Sequence, residues 1–541
     1  MSSTEIVKNR HLGFLIWQSV HSTVIFLCCK IFLLSPFSNN PFSPSLLTFL
    51  SFLTFHLSLL LFSTSLLLVS SPQSDRPASV PELIQFLLRF LLHSVLGGGG
   101  SPELSATSFR RRVRTSLGFL LFVIISAASG FVAVASVCRN SEAISGLPLI
   151  GIGLRGSVFG LLYGVYYIYK QRWVLGFPII QRPPFFSFKM ALPSAFRESL
   201  KLSTVALLCS SVLVVFLPSQ YTSQGTMVQF VVNQIFFYIG SFVVSLCWEL
   251  CHHLHQVVHT KRFTFAPPKG SAAAETNPSE PLLAALEEST PRSLLQYLAY
   301  LDLCIICESN VDIWRRAAFF EETGETYKRV VAVCLRPLEK LTSNLGEGLE
   351  GCSGDRTDKL SHQLLSPADT RMDSKLNESF NDFQLCAWCA MTIAAVTARS
   401  HSEDRFGVAQ LTGCNAAVVS TLLSCLVAVE ACLGKKTNVQ TPHLMGPASI
   451  KWATLNTGRR DGPPSSMGKK RGGPLHAKAY SMADIIRTSI YNIVSVFHDE
   501  MVGSMKAGML EKDWITGSKP LFGTREILVQ KLSLFLDFQA N

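Results

Sequence analysis

The residues with the clearest capacity for chemistry lie near the end of a long apolar segment, where thiols and imidazoles cluster. The cluster consists of Cys247, Cys251, His252, His253, His255 and His259. Both groups bind zinc, and four of the six recur at every fourth residue, which would place them along one face of a helix. One straight helix cannot surround an ion with four ligands, so a metal would need ligands from another segment. Because histidines also serve as polar residues at membrane surfaces, we predict no metal site here.

A second candidate is the pair Cys386 and Cys389, whose Cys-x-x-Cys spacing fits a thiol redox motif or half a zinc site. The pair lies inside the apolar run LCAWCAMTIAAV, and no second pair follows it. A buried cysteine packs as a small apolar residue, so we predict a core role. The chain also has no Gly-rich phosphate loop, His-Glu-x-x-His motif or Gly-x-Ser-x-Gly motif. We therefore predict a non-enzyme with no catalytic residue, cofactor or metal.

A third candidate is Arg155, which lies within an apolar segment, where a charge is the usual sign of a transport pathway. Asn233 and Gln234 lie in the sixth of these segments, and Lys30 lies near the end of the first. No Asp or Glu lies deep in any of them, so a carboxylate relay is missing. Five glycines surround the arginine: Gly151, Gly153, Gly156, Gly160 and Gly164. Because small residues let helices approach closely, packing is favoured over transport, with lipid phosphate or partner contact left open.

These candidates are positioned by six apolar segments in the first half of the chain. The segments are Leu12–Leu34, Leu46–Val69, Leu117–Val137, Leu147–Tyr169, Leu202–Pro218 and Met227–Leu250. A helix needs about 20 mostly apolar residues to cross a bilayer, so each is predicted to be a transmembrane helix. The first is predicted to be a retained signal anchor, because its apolar run is longer than that of a cleaved signal peptide.

Basic residues alternate between the loops of this region. The three short loops 35–45, 138–146 and 219–226 contain a single basic residue, Arg139. Lys and Arg are frequent in the N-terminal tail and in the other loops. Because basic loops stay on the cytoplasmic side, both termini are predicted to face the cytoplasm. The formal charge of +11 is therefore expected to contact anionic lipid head groups, with no direct nucleic-acid binding.

The remaining segments predict an α-helical second half. Residues 81–96 form a short apolar stretch that is either an interfacial or re-entrant helix or a helix packed on the bundle. Residues 261–291 are predicted to be a linker, and 292–541 an α-helical domain with disordered segments at about 346–379 and 434–478. Within that domain, apolar periodicity predicts helices over Tyr327–Leu341, Phe383–Ala398, Leu411–Leu433, Met482–Met505 and Thr524–Phe538. The fold class is thus an all-α membrane protein.

Three blocks of this second half resemble the nuclear-division-cycle (Ndc) family of transmembrane nucleoporins. They are LAYLDLCIICESNVDIWRRAAFFEETGETYKRVVAVCLRPLEKL at 298–341, SEDRFGVAQ at 402–410 and IRTSIYNIVSVFHDEM at 486–501. The layout of six spans, short lumenal loops and a helical second half agrees with that family. Gly97–Gly100 and the basic insertion after Gly434 do not resemble it. The blocks are packing motifs, so the resemblance carries over no active-site residue.

The resemblance implies a protein of the pore membrane, where the inner and outer nuclear membranes are fused and which is continuous with the endoplasmic reticulum. It implies an anchor for the nuclear pore complex that supports pore assembly and, indirectly, the transport of protein and mRNA. The implied partners are other pore-membrane nucleoporins and soluble inner-ring nucleoporins. Two alternatives stay open: a polytopic transporter or channel of the endoplasmic reticulum that uses Arg155, and a membrane-embedded lipid enzyme that uses His252–His259.

Overall fold

The computed structural model is almost entirely helical. It describes residues 3–33, 46–74, 77–78, 81–85, 107–139, 149–178, 181–216, 227–268, 270–350, 376, 378–434 and 474–539. Within these ranges there is no β-strand, and the one isolated β-bridge joins Ser71 to Val174. The prediction of an all-α fold is confirmed. The chain forms two compact units, one of Met1–Phe263 with Ser289–Leu298 and one of Thr264–Glu288 with Ala299–Asn541.

The first unit contains one long helix for each predicted span. These helices are α1 (Ser3–Cys28), α2 (Leu46–Val69), α3 (Thr107–Cys138), α4 (Leu149–Tyr169), α5 (Pro184–Phe216) and α6 (Met227–Thr260). A π-helical turn, Cys29–Leu33, continues α1. Helix α3 packs on α2 and α4, and α6 packs on α1 and α5. Arg10 of α1 donates hydrogen bonds to the carbonyl oxygens of Val258, His259 and Lys261, and so caps the end of α6.

Four of these helices extend well beyond the predicted spans. Helix α1 begins at Ser3 rather than Leu12, α3 at Thr107 rather than Leu117 and α5 at Pro184 rather than Leu202, and α6 ends at Thr260 rather than Leu250. Hydropathy marks only the apolar part of a membrane helix, whereas the backbone hydrogen bonds continue into the polar layer at each end. Proline suits the first position of α5 because the missing N–H would have had no partner there.

By length and composition, five described helices could cross a membrane. They are Glu5–Ile31, Leu46–Val69, Arg110–Cys138, Phe230–Thr260 and Cys414–Gly434, and a pair bent by 95°, Leu294–Glu308 with Ile313–Phe320, would be a sixth. Four of the six predicted spans thus meet this criterion. In the most apolar 18-residue stretch of Cys414–Gly434, 67% of the residues are buried inside the protein. The corresponding share in the other four helices is 28% to 44%.

The core of the first unit is aromatic. Phe62 of α2 stacks on Trp248 of α6 with ring centroids 4.2 Å apart, and Tyr163 of α4 meets the same indole edge-on at 4.9 Å. All three side chains are buried, and such ring pairs add to the free energy of burial. The outward faces are also apolar, for example Trp17, Leu57 and Leu208. Apolar residues on both sides of a helix are typical of a bundle surrounded by lipid.

The second unit is a set of shorter helices. They are α7 (Ala272–Thr276), α8 (Glu280–Glu288), α9 (Leu294–Glu308, whose first residues belong to the first unit), α10 (Ile313–Ala317), α11 (Glu325–Glu350), α12 (Phe383–Glu403), α13 (Val408–Leu411), α14 (Cys414–Gly434), α15 (Pro474–Val496), α16 (His498–Lys506), α17 (Leu510–Trp514) and α18 (Arg525–Gln539). Helix α14 packs on α11 and α15, and α12 packs on α11 and α15. The most buried helices of this unit are therefore the apolar ones that the periodicity predicts.

The predicted linker at 261–291 is wrong in part, because it contains α7 and α8. Helix α8 buries Leu282, Leu283 and Leu286, which a composition rich in Ala, Ser, Pro and Glu conceals. Other predictions fall on residues outside the described part of the chain. The interfacial helix is described only at 81–85, where it is helical, and the two predicted disordered segments are not described at 351–375 and 435–473.

Candidate functional site

The thiol and imidazole cluster lies on the face of α6 that packs against α1. Cys247, Cys251, His255 and His259 are all buried along α6. The imidazole rings of His255 and His259 lie 4.1 Å apart, and Phe14 of α1 meets the ring of His255 edge-on at 5.4 Å. Among the described residues, no three His, Cys, Asp or Glu side chains are placed to hold a metal ion. This face therefore joins α6 to α1.

Cys386 and Cys389 lie in the core of the second unit. Burial raises the pKa of both thiols well above the usual value, which keeps them protonated and poorly nucleophilic. Cys304 and Cys307 of α9 have the same spacing, which the sequence analysis overlooked, and both are buried as well. All four thiols are free. The arrangement is that of apolar core residues, as the surrounding sequence predicts.

Arg155 lies in a network of neutral partners. Its Nε and Nη2 atoms donate to the hydroxyl of Ser210 at 3.3 and 3.2 Å, and Nη2 donates to Oε1 of Gln234 at 2.5 Å. The guanidinium carbon also lies 4.0 Å from the ring centroid of Phe237. Because these partners belong to α5 and α6, the buried arginine joins three helices.

The glycines around Arg155 bring α4 and α3 into backbone contact. A Cβ atom on Gly156 would lie 2.5 Å from the carbonyl oxygen of Gly130, and one on Gly160 would overlap the carbonyl oxygen of Ser126. At Gly164 the α-carbon of Val123 would be 3.2 Å away. The prediction that these small residues serve close helix packing is confirmed. Arg155 is thus held on one of the tightest helix pairs of the unit.

A buried ion pair at the other end of α4 was missed by the sequence analysis. Arg172 donates to both carboxylate oxygens of Glu249 at 2.6 Å, and the carboxylate is fully buried. The guanidinium also lies about 6 Å from the rings of Tyr166 and Tyr167. Two features of the sequence could have indicated this pair: Glu249 lies at the end of one apolar segment, and Arg172 lies just after another. The pair fixes the loop after α4 to α6.

The second unit carries a similar arginine near its surface. Nε and Nη2 of Arg316 donate to the carboxylate of Glu403 at 2.8 and 2.7 Å, and Nη1 donates to the carbonyl oxygen of Ser309 at 2.7 Å. Asp404 then accepts from the backbone N–H of Ala409 at 2.8 Å. These bonds hold the turn between α9 and α10 beside the turn between α12 and α13.

We call these two turns the turn pair, and they present exposed apolar side chains. The side chains are Val311, Ile313 and Trp314 on the first turn and Phe406 and Leu411 on the second. Val311 and Leu411 are 77% and 84% exposed. Large apolar side chains that are exposed on neighbouring turns are typical of an interaction surface.

A comparison with known protein families agrees with the first of the three sequence blocks. A family model described as nucleoporin protein Ndc1-Nup matches residues 152–363, which run from α4 to beyond the end of α11. The block at 298–341 lies inside this match, and the blocks at 402–410 and 486–501 lie outside it. No curated protein matches the sequence.

The family match at residues 152–363 supports a nucleoporin role and points to a structural role without enzymatic activity. It also implies a place in the pore membrane among other pore components. Over residues 152–363 this chain therefore resembles the Ndc1-Nup nucleoporins, as the first block predicts.

Proposed function

We propose that this protein anchors the nuclear pore complex in the pore membrane, supports its assembly and thereby serves the transport of protein and mRNA indirectly. The observation that carries the proposal is where the family match falls. It begins in the apolar first unit and ends beyond α11 in the second. The match thus covers part of a membrane unit and part of a second helical unit in one chain, which is the arrangement an anchor requires.

The first unit supplies the membrane attachment in this proposal. Its helices expose large apolar side chains such as Trp17, Leu57 and Leu208, which favour contact with lipid. Both termini lie on the cytoplasmic or pore side, where the basic loops also contact anionic head groups. Contact with other pore-membrane nucleoporins would use the same unit.

The second unit supplies the attachment to soluble inner-ring nucleoporins. The turn pair is the surface we assign to them, because its apolar side chains are exposed and its backbone is fixed by Arg316 and Glu403. A fixed surface loses little conformational entropy on binding. Many copies around one pore would make even weak single contacts sufficient.

The test replaces Val311 and Leu411 with Asp in the full chain and compares this variant with Leu534→Asp. Leu534 is also an exposed leucine of the second unit but lies on α18, outside the turn pair. We expect the double variant to remain in the nuclear envelope and to lose co-purification with inner-ring nucleoporins, while the control retains it. Equal co-purification by the unaltered chain, the double variant and the control would overturn the assignment of the turn pair. A uniform distribution of the unaltered chain through the endoplasmic reticulum would overturn the anchor role.

A polytopic transporter or channel is the alternative function. It would need a polar path, for which the sequence offers Arg155, Asn233 and Gln234. Arg155 donates hydrogen bonds to Ser210 and to Gln234, which favours helix packing over conduction.

A further inference from the structure

A small cavity with polar side chains on a largely apolar wall lies at the end of the first unit where α5 begins and α6 ends. Its volume is ≈ 170 Å³. The polar side chains around it are Gln181, Arg182, Ser187, Gln256, Thr260 and Lys261. A cavity of this size holds a group as large as a phosphate. It belongs to neither the Arg155 network nor the turn pair.

The cavity is positively charged. Arg182 and Lys261 are its charged lining residues, and neither lies within ion-pair distance of an acidic side chain in the described part of the chain. None of the described lining residues is acidic. Ser187 adds a hydroxyl for which no side-chain hydrogen bond occurs among the described residues. Two cations without acidic neighbours attract an anion, most strongly next to low-dielectric walls.

The walls of the cavity are fixed before any ligand arrives. Gln256 accepts a hydrogen bond from the N–H of Gly176 at 3.1 Å and donates to the carbonyl oxygen of Val174 at 3.1 Å. Gln181 accepts from the N–H of Arg262 at 3.0 Å and donates to the carbonyl oxygen of Pro178 at 2.7 Å. The loop before α5 is thus tied to the end of α6. A preformed site loses less entropy when it binds a ligand.

The first half of α5 places this cavity at the level of the lipid head groups. It exposes apolar side chains, such as Phe185 and Phe186, and also the basic side chains of Lys189, Arg197 and Lys201. A helical segment that mixes the two lies in the head-group layer, because its apolar side chains reach the acyl chains while its charges stay among the head groups. The more apolar part of α5 then lies in the hydrocarbon core, and Arg182, three residues before Phe185, lies in the head-group layer.

We propose that this cavity binds the phosphate of an anionic phospholipid head group between Arg182 and Lys261, with the acyl chains beside Phe185 and Phe186. The proposal deepens the lipid contact in the proposed function and rests on the membrane-embedded fold. Free inorganic phosphate has the same charged group but no acyl chains. The site is expected to prefer the lipid, because only the lipid also contacts the two phenylalanines.

The test measures lipid retention by the purified full chain in a neutral detergent with native mass spectrometry. The probes are phosphatidic acid and, as the neutral reference, phosphatidylcholine. The variant Arg182→Gln/Lys261→Gln is compared with Lys170→Gln/Lys189→Gln, which removes the same charge from exposed residues outside the cavity. We expect the first variant to bind phosphatidic acid about thirtyfold more weakly, because each basic residue near a membrane surface contributes a factor of about five.

The result expected for the control variant is unchanged binding of phosphatidic acid, and the result expected for phosphatidylcholine is no difference among the proteins. Equal loss in both variants would overturn the site, because it would assign the affinity to general surface charge. Complete displacement of phosphatidic acid by millimolar inorganic phosphate would overturn the lipid assignment in favour of a soluble anion. Equal thermal unfolding midpoints show that each variant is folded. Since no pore protein is present, failure here leaves the anchor role untouched.

Discussion

Gly160 of α4 lies directly against the carbonyl group of Ser126 in α3. A Cβ atom on Gly160 would overlap that oxygen and would lie 2.9 Å from the α-carbon of Ala127. One turn away, Gly156 and Gly130 repeat the contact. Because the obstacles are backbone atoms, they cannot move aside as a flexible side chain could. The two helices can keep this separation only while these positions lack side chains.

Replacing Gly160 with Ala is expected to destabilise the first unit by about 1–3 kcal/mol, the usual cost of overpacking. The control is Gly118→Ala in α3, where nothing lies within 4 Å of the added atom. The thermal unfolding midpoint of the purified protein in detergent is the measurement. We expect a lower midpoint for Gly160→Ala and no loss for Gly118→Ala, and equal midpoints would contradict the close approach.

Arg315 and Asp302 give a second prediction. Nη2 of Arg315 lies 2.8 Å from the carboxylate, both side chains are at most 1% exposed, and the same Nη2 donates to the carbonyl oxygen of Phe265. Arg315→Met would leave the buried carboxylate without its cation, which costs about 3–5 kcal/mol. Limited proteolysis of the second unit should become much faster in this variant. Lys328→Met, which breaks an exposed pair, should change little, and equal rates for both variants would count against the buried pair.

The ion pair of Glu403 with Arg316 predicts that the second unit becomes less stable at acidic pH. The hydrogen bond from Arg316 lowers the pKa of this carboxyl below its usual value of 4.5. A lowered folded-state pKa stabilises the folded protein above the unfolded pKa, and this contribution is lost as pH falls through the folded value. We therefore expect the second unit to lose stability below about pH 4.5, and Glu403→Gln to lose less over that range. Parallel curves of unfolding midpoint against pH for the two proteins would refute the prediction.

Arg155 distinguishes an anchor from a transporter. In Arg155→Leu the polar atoms of Ser210 and Gln234 lose their shared donor, so we expect destabilisation of about 1–3 kcal/mol. Reconstituted vesicles should show no flux above that of empty vesicles with either protein. A flux that is present in the unaltered chain and absent in Arg155→Leu would instead establish the transporter alternative. The unfolding midpoint, measured on the same samples, shows whether the network is structural.

The apolar pattern of the sequence predicts the helices of this protein well, because burial and lipid contact both require apolar residues. It does not predict where α5 begins, since Lys189, Arg197 and Lys201 interrupt the pattern while the helix continues. Nor does it predict α8, where three leucines are buried within a polar composition. In both cases the backbone hydrogen bonds and a single packed face determine the helix. The average hydropathy of the segment does not depend on either of these.

The candidate sites also divide into features that the sequence predicts and features that it does not. The glycines near Arg155 were predictable because their spacing places them on one helix face. The bonds of Arg172 to Glu249 and of Arg316 to Glu403 join residues that are 77 and 87 positions apart. A single sequence holds no information on such pairing unless the fold is already known. The turn pair was therefore hidden, although SEDRFGVAQ and the Arg315–Arg316 dipeptide each contribute to it.

The bonds between Arg10 and the end of α6 have a consequence for the order in which the protein is made. Helix α1 leaves the ribosome first, but the carbonyl groups that Arg10 contacts are about 250 residues later in the chain. At a synthesis rate of about 5–20 residues per second, this delay is about 12–50 s. During that time α1 must stay in the membrane without its main partner. The packing of α1 is thus completed only after α6 has been synthesised, and nascent chains that stop before α6 would expose the His11 and Phe14 side of α1.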